Sequence, residues 1–151
     1  ENRNSVKIYG LEAGVYWASS ADLRFFTVLN YTHGEEKDDA GTTIPADRIP
    51  PLSGRAGVEY FFNGDWKVEP YILFASRQDR LSPRDVRDSR INPLGTAGWA
   101  TLNVLLDWQV NRSLKMGLRL ENLTDKAYRE HASGIDAPGR NVGMWVSYKF
   151  P

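Results

Sequence analysis

The sequence predicts an all-β fold, an antiparallel transmembrane β-barrel segment of about seven strands, on three observations. Apolar residues recur with period 2, and helical periodicity is poor throughout. The connections alternate between three residues and eighteen to twenty. The aromatic residues of the apolar face gather toward the two ends of the strands.

The first candidate strand, 5–18, places Tyr9, Leu11, Ala13, Val15 and Trp17 on one face. Ser19-Ser20-Ala21 turns it into the second, 22–33, whose matching residues are Leu23, Phe25, Thr27, Leu29 and Tyr31. A long connection, 34–52, leads to 53–63, with Gly54, Ala56, Val58, Tyr60 and Phe62. Asn63-Gly64-Asp65 turns into 66–77, with Trp66, Val68, Pro70, Ile72 and Phe74. A second long connection, 78–97, precedes 98–110, with Ala100, Leu102, Val104, Leu106 and Trp108. Asn111-Arg112-Ser113 joins it to 114–122, with Leu114, Met116, Leu118 and Leu120. The last connection, 123–140, ends in 141–150, with Val142, Met144, Val146, Tyr148 and Phe150. None of these 34 positions is charged, while the opposite face carries Glu12, Arg24, Arg55, Glu59, Lys67, Glu69, Arg77, Asp107, Lys115, Arg119, Glu121 and Lys149. The internal prolines lie between strands except Pro70, which costs a ladder hydrogen bond unless a bulge or local irregularity absorbs it.

Alternation alone is shared with a soluble sandwich whose apolar face is the core. Aromatic placement separates the two. Trp17, Phe62, Trp66 and Trp108 adjoin the short turns, with Tyr148 and Phe150 at the terminus, while Tyr9, Tyr31 and Phe74 lie toward the long loops. Eight residues separate Tyr9 from Trp17, and Trp66 from Phe74. At ordinary strand rise and tilt this is about 20 Å of height, close to the lipid-facing band of a barrel between its aromatic girdles. Short turns at one end and long loops at the other fit periplasmic turns and extracellular loops. The 19 Lys and Arg residues balance 19 Asp and Glu, so no global basic field invites nucleic acid. With no cysteine there are no disulfides, thiolate metal sites or thiol nucleophiles.

Bacterial barrels have even strand numbers, so seven strands imply either a missed strand or a part of a larger barrel. The run Glu121-Asn122-Leu123-Thr124-Asp125-Lys126-Ala127-Tyr128, then Pro138-Gly139-Arg140, then a ten-residue strand ending at Phe150, resembles the end of TonB-dependent outer-membrane receptors. Gly10-Leu11-Glu12 and Ile49-Pro50-Pro51-Leu52 add weaker likeness. The resemblance implies a 22-stranded transporter with a plugged lumen. Residues 1–151 are then its C-terminal barrel part, without the plug or the earlier strands. It also implies location in the bacterial outer membrane, uptake of a scarce ligand such as a ferric siderophore or other metal complex, and energy from TonB through the plug. Phe150 is implied to carry the signal read by the barrel-assembly machinery.

No catalytic constellation is present, and no resident cofactor or metal is expected. His33 and His131 fall in different long loops, and Glu35-Glu36-Lys37-Asp38-Asp39 lacks calcium-loop spacing, so solvated loops are expected. Arg77, Arg80, Arg84, Arg87 and Arg90 make the second loop basic, which suits lipopolysaccharide phosphates or an anionic chelate; Asp79, Asp85 and Asp88 interleave, so mutual neutralisation is the expected role. The candidate ligand-binding loop residues are His33, Glu35, Arg77, Arg80 and His131. The candidate girdle is Trp17, Phe62, Trp66, Trp108 and Tyr148. Arg55 and Glu59 are expected to pair across the ladder with Lys67 and Glu69. The competing readings are a small standalone outer-membrane barrel with one more strand and a structural or adhesion role, and a soluble barrel around an apolar ligand.

Overall fold

A computed structural model describes residues 5–150. Seven long strands form one antiparallel meander: β1 Val6–Ala18, β2 Leu23–Lys37, β4 Ser53–Phe62, β5 Trp66–Ala75, β6 Trp99–Gln109, β7 Leu114–Glu121 and β8 Asn141–Tyr148. A three-residue strand, β3 Thr43–Pro45, pairs with β2 off this path, and a single helical turn, α1 Pro83–Arg87, lies between β5 and β6. β1 and β8 end the pairing order without pairing to each other, so the sheet is open.

Two expected boundaries move. β2 runs to Lys37 rather than ending near residue 33, because β1 pairs with it as far as Glu36 and β3 pairs with its last three residues. β8 stops at Tyr148, and Phe150 folds against it with ring centroids 5.0 Å apart and planes at 83°. Pro70 interrupts the β4–β5 pairing between Gly57↔Tyr71 and Tyr60↔Val68, which share one register, so the missing N–H breaks the ladder locally without a bulge.

The burial is inverted relative to a soluble sheet. On the charged face Glu69, Thr101, Asn103 and Asp107 are all buried. On the apolar face Leu11, Val15, Ile72, Leu102, Val142, Met144 and Val146 are exposed, Met144 at 82%. A soluble sandwich places these classes the other way round, and an exposed apolar face of this extent requires a partner or lipid. The aromatic residues of that face form stacks across the strands. Phe62, Trp66 and Trp108 occupy one rung, and Trp17 stacks on Phe25 at 5.4 Å. The five candidate girdle residues therefore share the exposed parity at the short-turn end.

The polar face is held by charge. Lys67 Nζ lies 2.6 Å from Glu69, 3.5 Å from Asp107 and 3.7 Å from Glu59, Lys115 reaches Asp107 at 3.2 Å, and Arg55 pairs with Glu69. The expected cross-ladder pairing of Arg55 and Glu59 with Lys67 and Glu69 is thus present. Trp145 also lies on this face, and its indole fills the space above Gly117, where no side chain fits.

Candidate functional site

The long connections meet at one end of the sheet: loop 1 (38–52), loop 2 (76–98) and loop 3 (122–140). Loops 1 and 2 are fastened to each other. Ser82 caps α1 by accepting from the N–H groups of Arg84 and Asp85, and Pro83 opens the turn with its fixed φ. The Asp85 carboxylate returns the bond from the Ser82 N–H at 3.1 Å and also accepts from the Arg48 N–H at 3.1 Å. Ser82 Oγ donates to Asp47 at 2.8 Å, and Arg84 spans Asp47 at 2.9 Å and Glu36 at 3.4 Å. Ser82 and Asp85 are 0% and 2% exposed, and neither was among the candidate ligand-binding residues read from the sequence. The signal for them was the Ser82-Pro83-Arg84-Asp85 capping pattern. Ala46, Ile49 and Ile91 are the buried apolar residues of these loops, with Ile49 and Ala46 seated over Gly34. Arg77 with Asp79 and Arg90 with Asp88 pair within loop 2, whereas Arg84 pairs across to loop 1 and to β2. Hydrogen bonds from the Arg90 side chain and backbone N–H hold the Asp88 carboxyl well below the usual carboxylate range.

Loop 3 is closed at its base by the Glu121–Asp125 motif. Asn122, buried at φ 49°, donates its N–H to Asn103 Oδ1 and its side-chain amide to the carbonyls of Lys126 and Pro138. It accepts from the Lys126 N–H at 2.8 Å. Asp125 accepts from the backbone and side chain of Arg140, which lowers its carboxyl pKa.

The candidate ligand residues separate into two places. His33, Glu35 and Arg80 converge: Arg80 donates to His33 Nδ1 at 2.8 Å, and His33 Nε2 lies 3.2 Å from Glu35. An arginine only donates, so His33 Nδ1 accepts and Nε2 carries the proton toward Glu35. This group has the parity of Tyr9 and Tyr31, and Tyr9 stacks on His33 at 5.0 Å, so it continues the exposed apolar face. Arg77 donates to the Leu94 carbonyl within loop 2. His131 lies on the other face, 2.9 Å from Thr96 Oγ1, and burial lowers its pKa against a weaker opposing pull from Asp85. Among the described residues no cluster of three or more His, Asp or Glu has metal-site geometry. His131 instead lines a cavity of about 310 Å³ on the polar face, roofed by loops 1 and 3.

An open meander with charge inside, apolar residues outside and interlocked loops at one end is the architecture of a large membrane barrel wall. A family model described as "TonB dependent receptor-like, beta-barrel" matches residues 1–123. The chain belongs to the TonB-dependent receptor β-barrel family. The solved structure of the copper transporter OprC covers 96% of the chain at 23% identity and TM-score 0.81. The FrpB iron transporter from Neisseria meningitidis covers 96% at 15% identity and TM-score 0.73. The siderophore receptor PiuA from Acinetobacter baumannii covers 96% at 15% identity and TM-score 0.64. The chain spans about a quarter of each of those proteins, 22–24% of their length. The family match ends at Leu123, so the terminal residues that carried the clearest sequence resemblance are reached by the structural likeness alone. Proteins of the TonB-dependent receptor family are outer-membrane transporters rather than enzymes.

Proposed function

We propose that this chain is the C-terminal part of the barrel wall of a TonB-dependent receptor that imports a scarce ligand, such as a ferric siderophore or other metal complex, across the bacterial outer membrane. The inverted burial carries this reading. Val142, Met144 and Val146 stand exposed while Glu69 and Asp107 are covered, which suits lipid outside and a hydrated lumen inside. The short turns then face the periplasm and the long loops the cell surface, where lipopolysaccharide surrounds them. The remaining strands complete the ring, and the plug rests against the polar wall of Lys67, Glu69, Asp107 and Lys115 and links transport to TonB. Phe150, exposed beyond β8, is the assembly signal for the barrel-assembly machinery. Of the candidate ligand residues, His131 faces the lumen; His33, Glu35 and Arg80 form a brace at the outer rim. The chain itself performs no covalent chemistry.

The small standalone barrel requires β1 to pair with β8, and the open sheet speaks against it. Unpaired strand edges are not tolerated in lipid, so the 151 residues alone are expected to give neither a pore nor uptake. The test is complementation of a receptor-deficient strain, scored for uptake of a panel of ferric and cupric chelates. A complete receptor carrying this segment should restore uptake in a TonB-dependent manner, and the segment alone should not. Monodisperse refolding of the segment in detergent, with steady conductance in planar bilayers, would contradict the proposal and favour the standalone barrel.

A further inference from the structure

We propose that the cavity beneath loops 1 and 3 is a binding site for a compact, largely apolar group carrying an oxygen acceptor, such as an aryl carboxylate. The proposal rests on the receptor reading above and adds the chemistry of one part of its ligand site. Two neighbouring rungs of the polar face build the floor: Val28–Arg55–Leu73 and Asn30–Ser53–Ala75–Trp99, each in direct register across the strands. Pro50 and Pro51 from loop 1 and His131 from loop 3 close over them. The small side chains of Ser53 and Ala75 leave the room, and Val28, Leu73 and Trp99 make the walls apolar. A volume of about 310 Å³ is that of a small-molecule pocket.

The polar groups specify the occupant. Arg55 is anchored at one end: its Nη2 pairs with Glu69, and its guanidinium lies 4.0 Å from the Tyr71 ring centroid and 5.0 Å from that of Phe26. Its remaining N–H groups are donors with no acceptor capacity. Among the described residues three buried side-chain polar atoms lack a hydrogen-bond partner, and two of them, Arg55 Nε and His131 Nε2, belong to residues that line this cavity. An unpaired buried polar group is costly, and an incoming oxygen relieves that cost. Both atoms are covered as the side chains stand, so an entering acceptor requires a small side-chain rotation. Thr96 Oγ1 lies 2.9 Å from His131 Nδ1; in the tautomer in which Thr96 donates, His131 Nε2 carries the proton and joins Arg55 as a second donor. Glu130, also at the cavity, selects against multiply charged anions.

The experiment uses a complete receptor barrel carrying this segment in detergent, with 4-fluorobenzoate as probe and fluorine NMR line broadening as readout. Saturable binding of 4-fluorobenzoate is expected, with 4-fluorobenzylammonium excluded. Arg55→Lys, which keeps the charge but removes Nε–H, and Leu73→Trp, which fills the floor beside Arg55 while keeping its guanidinium, should each weaken binding about tenfold. Should Arg55→Lys not fold, Leu73→Trp decides alone. Absent binding, equal binding of the ammonium probe, or affinity unchanged in the folded variants overturns the site. A receptor that still imports its ligand but ignores the probe loses only this inference, while loss of TonB-dependent uptake by the unmodified receptor would overturn the receptor reading itself.

Discussion

Trp66 and Trp108 sit directly opposite each other on β5 and β6, with ring centroids 5.0 Å apart and planes 7° from parallel. Phe62 extends the stack on the β4 side, 5.9 Å from Trp66 at 10°. A rung of parallel rings on the exposed face, beside the short turns, is how two amphipathic indoles reach the membrane interface while sharing contact.

The stack predicts a measurable coupling. In a double-mutant cycle of Trp66→Leu and Trp108→Leu in a folded receptor barrel, the interaction energy should be about 0.5–1.5 kcal/mol favourable. Additive single effects in urea unfolding would show that the rings are adjacent without stabilising one another.

The fastening of loop 1 to loop 2 predicts a local effect. Asp85→Ala strands the N–H of the buried Ser82, at about 1–3 kcal/mol for a group left buried and unpaired, and releases that of the exposed Arg48. Hydrogen exchange should accelerate at residues 46–49 and 82–88 while β4 to β7 stay protected. Asp85→Asn keeps one acceptor and should fall between the two.

His131 predicts a pH response in loop 3. Burial holds its folded-state pKa below the ordinary 6.5, so the neutral form is the one the folded loop accepts. The associated stability is complete above pH 6.5, declines as pH falls below it, and is lost once the folded imidazole also protonates. Protection factors at residues 128–137, corrected for the slower intrinsic exchange at low pH, should therefore fall on going from about pH 7.5 to about pH 5, and His131→Gln should remove the dependence. A response in the opposite direction would mean that the pull from Asp85 outweighs burial.

How much was legible in the sequence follows from the range of the interactions. The seven long strands, their parity and the aromatic rungs rest on period-2 patterning, which is local, and all of them were readable. The end of β2 was not. Gly34-Glu35-Glu36-Lys37 reads as a loop tip, and only pairing with β1 and β3 makes it strand. The Asn122 motif was visible as a family resemblance, but its physical role emerged from partners at Asn103 and Pro138. His33 and His131 looked equivalent as loop histidines, yet β2 parity turns one outward while Thr96, 35 residues from His131, draws the other inward. The cavity needs four strands in register and two loops, which no local pattern encodes.

The most direct test of the account is the cost of one arginine on each face of β6. Val104 lies near mid-strand on the apolar face, and Leu105 is its neighbour on the polar face, opposite Arg119. In a receptor barrel folded into bilayers, Val104→Arg should destabilise by about 2–4 kcal/mol, as expected for a cation at the lipid midplane. Leu105→Arg should cost much less, since water in the lumen solvates the charge. Equal costs, or a larger cost at Leu105, would place lipid on the charged face and contradict the account.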